Sequence, residues 1–328
     1  MKNELQKLLG LISDSQTILI TSHENPDGDA LGSTISLGLG LKKIGKDVQM
    51  FNKDAVPEVL EFLPHSDCIV NSLSSISGPY DIAFAVDCTS TSRAGKEFEE
   101  YAKSGDCKNV VIIDHHQTTG SDSDLQFLDE YSSSTGILIY KILKALKIEI
   151  DKAMAENIYT TIVSDTGSFS YSNTNSETLR IAADLVERGV DPSKISQALY
   201  ENEPLRKIEL FKSAIQTLEI TDDKTIASVY VDKKMFQKTG TSRQDTEGLV
   251  NIPRSIKGVD VALMFRQEGD DENIEWKVSL RSKGSANVAK VAEEFGGGGH
   301  ARAAGCSVKG SIEDVKAVVI LKLRESMS

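Results

Sequence analysis

Apolar positions in the first half of the chain alternate between two rhythms. Short runs, TILITS (17–22), DVQMF (47–51), DIAFAVD (81–87) and NVVIID (109–114), are β-branched or aromatic and bounded by polar residues or glycine, as buried strands are. Between and after them lie stretches with helical spacing: ALGSTISLGLGLKKIG (30–45), which ends on a glycine, and segments near 92–103, 134–146, 151–165 and 175–188. The first fifteen residues, MKNELQKLLGLISDS, read as an amphipathic helix. Strands alternating with helices predict a doubly wound, mostly parallel sheet with right-handed crossovers.

The rhythm changes in the second half. VDPSKISQALYENEPLRKIELFKSAIQ (190–216) has helical spacing interrupted by two prolines and reads as connecting material. TIASVYV, GVDVALMFRQ and IEWKVSLRS then read as longer strands, expected to pair antiparallel, with helices at about 287–295 and 312–325. At 328 residues the chain has room for about two domains. The expected architecture is α/β: a parallel-sheet domain over 1–190, a link over 191–205, and a smaller α/β domain over 206–328, with a cleft between the domains.

In such sheets ligands sit outside the carboxyl ends of the strands. Three of the strand-like runs end in acids or acid–histidine clusters. TILITSH runs into His23, Asp27 and Asp29, IAFAVD ends in Asp87, and VVIID ends in Asp114, His115 and His116. One sheet edge would bring them together although about 60–90 residues separate them along the chain. IVSDTGSFSYSNT (162–174) adds Asp165 at the end of an apolar helical stretch. Aspartate with neutral imidazole suits hard to borderline divalent ions, Mn²⁺ above all. That many carboxylates in one cleft would repel unless cations neutralise them, and two ions about 3.5–4 Å apart would make a phosphate-cleaving site.

Each residue also has an ordinary reading. Asp27 and Asp29 could cap the helix that follows, and Asp87 and Asp114 could be simple strand-end polar groups. Asp165-Thr166-Gly167 matches the local signature of aspartic proteases, but a second copy and an all-β setting are missing. His65, in LPHSD, joins no other motif and reads as an exposed loop residue. The other four of the five histidines all fall in the motifs under discussion.

The net charge of −12 argues against a grip on long duplex nucleic acid, which calls for a basic face. From Lys277 to Lys309, however, six basic residues stand against two acids, a local +4 that leaves −16 for the remainder. This region holds EFGGGGHARAAG (294–305) and LRSKGSANV (280–288). Glycine backbone can approach an anion closely, and a helix N-terminus expected beside His300 and Arg302 would favour one. An anion-binding pocket is expected from Arg281, Ser282, Asn287, Gly297, Gly298, Gly299, His300 and Arg302. Cys68, Cys88, Cys107 and Cys306 form no CxxC pair, which speaks against structural zinc. With no signal-like start and no apolar run of membrane-spanning length, a cytoplasmic protein with no membrane partner is expected.

In order along the chain, SHENPDGDALGS, VDCTSTSRAG, IDHHQT and SDTGSFSYSNT resemble the four motifs of the DHH phosphoesterases. GGGGHARAAG with RSKGSANVAKVAEEF resembles the DHHA1 domain that accompanies one branch, although the glycine run is one residue longer than that pattern. The resemblance covers nearly the whole chain and is closest to the NrnA-like group of bifunctional oligoribonucleases and pAp (3′-phosphoadenosine 5′-phosphate) phosphatases. It implies that His23, Asp27, Asp87 and Asp165 hold one Mn²⁺ and that Asp29, Asp87, His115 and Asp165 surround a second, with Mg²⁺ or Co²⁺ as alternative ions. Asp114 would orient its neighbouring histidine, and His116 would act beside the scissile phosphate, making Asp87, Asp114 and His116 the catalytic set. Arg281, Ser282, His300 and Arg302 would hold the terminal nucleotide and phosphate, and Arg93 would make a structural or phosphate contact.

The implied reaction is attack by an activated water, without a covalent nucleophile, on short oligonucleotides, dinucleotides such as pApA or pGpG, and pAp. The two domains would clamp the short substrate, and the assembly could be a monomer or a homodimer. Three competing readings rank below it. A RecJ-like exonuclease would need extra length and an extended basic surface, and a family II inorganic pyrophosphatase lacks the GGGGH ending. A non-catalytic nucleotide sensor would show a broken ligand set, and none of the expected ligands is missing here.

Overall fold

The computed structural model describes residues 2–73, 76, 78–116, 122–268, 274–284 and 286–327. Gln117 and Thr118, at the end of the third motif, and Ser285, in the basic C-terminal stretch, lie outside them. The chain divides into two compact units, Met1–Asn202 and Glu203–Ser328.

The first unit runs α1 (Lys2–Asp14), β1 (Thr17–Thr21), α2 (Gly28–Lys43), β2 (Asp47–Phe51), β3 (Ile69–Val70), β4 (Ile82–Val86), α3 (Lys96–Lys103), β5 (Val110–Asp114), β6 (Leu125–Leu128), α4 (Thr135–Ala145), α5 (Lys152–Asp165), α6 (Ser176–Glu187) and α7 (Pro192–Tyr200). Its six strands form one sheet in the order β3-β2-β1-β4-β5-β6, with every pairing parallel. The order reverses between β1 and β4, so the topological switch point lies at the carboxyl ends of these two strands.

Alternation of side chains sends each strand into two cores. Ile18 and Ile20 of β1, Ile82, Phe84 and Val86 of β4, and Val111 and Ile113 of β5 face a large core shared with α2, α4 and α5. Leu19, Ala83, Ala85, Val110 and Ile112 face the opposite side and pack with Phe98 of α3. Because both faces are covered, the strands read as continuous apolar runs. Within 191–205, the expected link, α7 begins on an Asp191 cap and Pro192, and it buries Ile195 in the first unit's core.

Small residues recur every fourth position along α2, at Gly28, Gly32, Ser36 and Gly40. A β-carbon on Gly32 would stand 2.7 Å from the Asn157 carbonyl oxygen, and one on Gly28 would stand 3.0 Å from Ser164 Cβ. Ser36 Oγ donates to the Met154 carbonyl at 3.4 Å. α2 therefore lies almost backbone to backbone against α5 and antiparallel to it. The first turn of α2 meets the last turn of α5, where Asp165 sits.

The second unit runs α8 (Leu205–Ile215), β7 (Glu219–Ile220), β8 (Ile226–Val231), α9 (Lys233–Thr239), α10 (Asn251–Ser255), β9 (Val261–Glu268), β10 (Glu275–Ser282), α11 (Val288–Glu294), β11 (Gly298–His300), β12 (Ala303–Lys309) and α12 (Ile312–Met327). Its sheet order is β11-β12-β10-β9-β8-β7. The pairing is mixed, which corrects the antiparallel expectation: β8 and β9 are parallel, because α9 and α10 fill the connection and carry the chain back to the same end. The unit buries one core under α11 and α12 and another under α8.

Candidate metal centre and anion site

The loop leaving β1 carries His23 and Asp27, α2 opens with Asp29, β4 runs into Asp87, and β5 ends in Asp114 before His115 and His116. Asp165 closes α5. The donor atoms of these residues fall into three overlapping groups, each within 4.8 Å: His23, Asp27 and Asp87; Asp29, His115 and Asp165; and Asp87, Asp114, His115 and His116. All eight side chains expected at the strand ends and on α5 therefore gather at the switch point.

Hydrogen bonds aim the imidazoles. His23 Nδ1 lies 2.8 Å from the Glu24 carbonyl, which can only accept, so Nδ1 carries the proton and Nε2 is turned toward the acids. Nε2 stands 3.9 Å from Asp27 Oδ1 and 3.4 Å from Asp87 Oδ2. His115 follows the same logic, with Nδ1 3.2 Å from the Ser132 carbonyl. Its Nε2 points to Asp165 Oδ2 at 3.0 Å, Asp29 Oδ2 at 3.5 Å and Asp87 Oδ1 at 3.8 Å. The two oxygens of Asp87 thus face different triads. Asp87 is held at φ 55°, a left-handed conformation that costs energy for a residue with a β-carbon and marks many functional sites. His116 is oriented by Asp114 Oδ1, which is 2.8 Å from Nδ1 and also accepts from the His116 backbone N–H at 3.1 Å.

Capping and clustering coexist at the opening motif. Asp27 Oδ1 caps α2, accepting from the N–H groups of Asp29 and Ala30 at 3.0 Å each. Asp29 has a different task from the capping role open to it in the sequence. Its carboxylate accepts from Thr135 N at 2.8 Å, Gly136 N at 3.1 Å and Ser33 Oγ at 3.2 Å, which docks it on the first turn of α4. The segment 132–136 is the element that motif reading missed. Its only signal was SSST, four aliphatic hydroxyl residues at the start of an apolar helix, which looks like an ordinary helix start.

The electrostatics show a site short of positive charge. Burial and the charge of Asp87 raise Asp27 to about 6, and burial with Asp87 and Asp165 lifts Asp29 well above the usual carboxylate range. Burial opposes ionisation of Asp87 too, but its hydrogen bond to His23 and the nearby imidazoles hold it below that range. Burial would lower His23, yet Asp87 and Asp27 outweigh it and raise His23 to about 9. His115 and His116 are likewise raised against burial, by Asp165 and by Asp114 respectively. Among the described residues, buried His115 Nε2 and Asp114 Oδ2 have no hydrogen-bond partner. An imidazole nitrogen aimed at three carboxylates without a hydrogen bond, in a set of oxygen and nitrogen donors, fits divalent cations.

The remaining expected residues belong to other elements. Arg93 sits on a short 3-10 turn, Thr91–Ala94, whose Arg93 carbonyl accepts from Glu24 N at 2.8 Å while the side chain is exposed. His65 stands on an exposed turn with Asp67 and Cys68, apart from the cluster. In the second unit, Arg281 and His300 both register opposite Ala303, one on each side, so they share a face of β10-β12-β11. Ser282 N donates to the Arg302 carbonyl at 2.9 Å, and buried Ser282 Oγ has no hydrogen-bond partner among the described residues. Asn287 caps α11, accepting from Ala289 N and Lys290 N.

The glycine run has a structural reason that the sequence did not disclose. A β-carbon on Gly297 would stand 2.1 Å from the Gly305 carbonyl, and one on Gly299, at φ 142°, 2.5 Å from the Ala303 carbonyl. Gly298–His300 pair with Ala303–Gly305, and Ala301 and Arg302 turn the hairpin. The glycines admit a second strand close against β12, and the helix N-terminus expected beside His300 and Arg302 is that of α11, whose Val288 N donates to the Ala301 carbonyl at 2.9 Å.

Fold and cluster together define a two-unit α/β protein whose Asp/His cluster at a sheet switch point could hold divalent cations. The chain belongs to the DHH/DHHA1 phosphoesterase family: the DHH family N-terminal domain matches residues 17–162, and the DHHA1 domain matches residues 223–325. It is 28% identical over 313 residues to the bifunctional oligoribonuclease and PAP phosphatase NrnA of Thermus thermophilus, covering 95% of this chain and 90% of that protein. The protein of the same name from Bacillus subtilis is also 28% identical, over 311 residues, with 94% and 93% covered. The crystal structure of an exopolyphosphatase-related protein from Bacteroides fragilis superposes with a TM-score of 0.89 at 28% identity, covering 99% of this chain and 96% of that one. Among the described residues no helix is long and apolar enough to cross a membrane.

Proposed function

We propose that the chain is a cytoplasmic phosphoesterase that uses two divalent ions, Mn²⁺ before Mg²⁺ or Co²⁺, to cut short oligonucleotides and dinucleotides to mononucleotides and to convert pAp to AMP. The observation that carries this reading is Asp87, whose Oδ2 faces the His23–Asp27 pair while its Oδ1 faces His115 and His116. His23, Asp27 and Asp87 would hold one ion, and Asp29, His115 and Asp165 the other, with Asp87 shared. When bound, such ions supply Lewis acidity, lowering the pKa of a water and offsetting charge that develops on the phosphoryl oxygens.

The chain's own groups do the rest. Glu24 and Ser132 carbonyls hold His23 and His115 in the tautomer that leaves Nε2 for a ligand. Asp114 fixes His116 through Nδ1, so the far nitrogen of that ring can donate to the scissile phosphate or to the leaving oxygen. In the second unit Arg281, Ser282, His300 and Arg302 would bind a terminal phosphate and its nucleotide, and Ser282 Oγ, buried and without a hydrogen-bond partner among the described residues, supports that reading. An acidic protein that recognises only an end has no need of the basic surface that long polymers require. The names of the Thermus and Bacillus relatives, oligoribonuclease and PAP phosphatase, support oligoribonucleotides and pAp among these substrates. Free Cys68, Cys88, Cys107 and Cys306 agree with a reducing compartment.

The test is to strip the protein with EDTA, restore Mn²⁺, and compare wild type with Asp87→Asn on pAp and on a dinucleotide. Activity should vanish without metal, return with it, and stay absent in the variant on both substrates. Full activity in Asp87→Asn would contradict the reading.

A further inference from the structure

Thr135 is the first residue of α4 and fully buried, and it contacts two of the clustered acids at once. Its hydroxyl donates to Asp87 Oδ1 at 3.0 Å, and its backbone N–H donates to Asp29 Oδ2 at 2.8 Å. The next N–H, from Gly136, reaches Asp29 Oδ1 at 3.1 Å, and three residues upstream the Ser132 carbonyl accepts from His115 Nδ1 at 3.2 Å. One five-residue segment therefore holds side chains from the ends of β4 and β5 and from the start of α2. Asp29 is gripped through both oxygens by backbone groups, which no substitution at position 135 short of proline removes. Asp87 is different, because the Thr135 hydroxyl is a side-chain donor and can be deleted.

A carboxylate turns easily about its last bond. Asp87 Oδ1 lies 3.8 Å from His115 Nε2 and 3.5 Å from His116 Nδ1, while Oδ2 lies 3.4 Å from His23 Nε2. Nothing in this separation would survive a rotation of the group toward His23. We propose that Thr135 is a positioning residue whose hydroxyl fixes the rotation of the Asp87 carboxylate, so that one oxygen serves each of the two ligand triads. The proposal rests on the two-ion reading above. Thr135 does not touch the reacting atoms; it acts through Asp87, and deleting its hydroxyl uncouples the two triads without removing any ligand.

The test compares wild type, Thr135→Val, which keeps the shape and deletes the donor, and Thr135→Ser, which keeps the donor. Each is purified metal-free, checked for a native melt, and titrated with Mn²⁺ by calorimetry and by electron paramagnetic resonance. Wild type and Thr135→Ser should bind two ions and show the spin-coupled signal of a close pair. Thr135→Val should keep one tight ion, bind the second about 10–100-fold more weakly, the usual effect of losing a residue that supports a ligand, and lose the coupled signal. Its kcat on pAp should fall in parallel while KM stays nearly constant, and Thr135→Ser should restore both signal and kcat. A Thr135→Val protein with the coupled signal and unchanged affinity overturns the proposal and leaves the two-ion reading standing. A Thr135→Val protein that does not fold also overturns it, since the hydroxyl would then serve the fold and not the ligand. Absence of a coupled pair in wild type itself would instead bring down the two-ion reading.

Discussion

Gly32→Ala tests how the fold sets the distance between the clustered acids. The added β-carbon would lie 2.7 Å from the Asn157 carbonyl oxygen and 2.7 Å from Thr161 Cγ2, against an ordinary contact of 3.4 Å or more. Because the first obstacle is backbone of α5, α2 must withdraw by about 0.7 Å, and overpacking of this kind costs about 1–3 kcal/mol. Alanine returns about 1 kcal/mol through helix propensity, leaving a net loss of about 0–2 kcal/mol. At 2–4 °C per kcal/mol for a unit of this size, the melting temperature should fall by up to about 8 °C. The effect on metal binding should be larger than this modest loss suggests. Asp27 and Asp29 ride on the end of α2 that meets Asp165 on α5, and ligand sets tolerate only about 0.5 Å of displacement. Mn²⁺ affinity should therefore drop by about 10-fold, read by calorimetric titration beside a thermal melt of the metal-free protein. Gly10→Ala is the control: it lies inside α1 with nothing within 4 Å of an added β-carbon, and it should raise stability by about 0.5–1 kcal/mol. A Gly32→Ala protein that melts at or above wild type and binds Mn²⁺ normally would refute the argument.

Three further outcomes are expected. Mn²⁺ at 100 times its dissociation constant should stabilise the first unit by about 2.7 kcal/mol, raising its melting temperature by about 5–11 °C, and EDTA should reverse the shift; an unmoved transition would count against the cluster as a metal site. Asp81 is held well below the usual carboxylate range by Lys108 and by the Thr17 and Gln16 N–H groups, so it stabilises the fold above about pH 4 and that contribution fades as pH falls further. Asp81→Asn should cost about 1–2 kcal/mol at pH 7 and flatten the acid side of the stability profile below about pH 4, and a variant with an unchanged profile would contradict this. His300→Ala should raise KM for pAp with little change in kcat, since it shares a face of the second unit's sheet with Arg281, and an equal fall in kcat would assign it to the chemistry.

Much of the first unit was legible because a parallel sheet covered on both faces writes its strands as continuous apolar runs. The runs at 17–22, 47–51, 81–87 and 109–114 correspond to β1, β2, β4 and β5, and their polar ends mark the sheet edge. β3, only two residues long, and β6, half-exposed, carry too little apolar signal to be seen. In the second unit, strand direction was out of reach, since periodicity fixes which face a residue takes but not which way its strand runs. Asp29 shows a similar limit. Its motif marks it as special, but the backbone groups that hold it come from more than 100 residues away, in a serine-rich segment that looks ordinary. The glycine run was visible as unusual, yet its cause is the neighbouring strand, which only pairing partners reveal.

The most direct measurement offers the purified protein, with Mn²⁺, four substrates in parallel: pAp, a 5′-labelled dinucleotide, a 24-mer and pyrophosphate. The account predicts fast release of phosphate from pAp and of mononucleotide from the dinucleotide, with the 24-mer and pyrophosphate turned over slowly or not at all. Fast turnover of the 24-mer with none of the dinucleotide would contradict it.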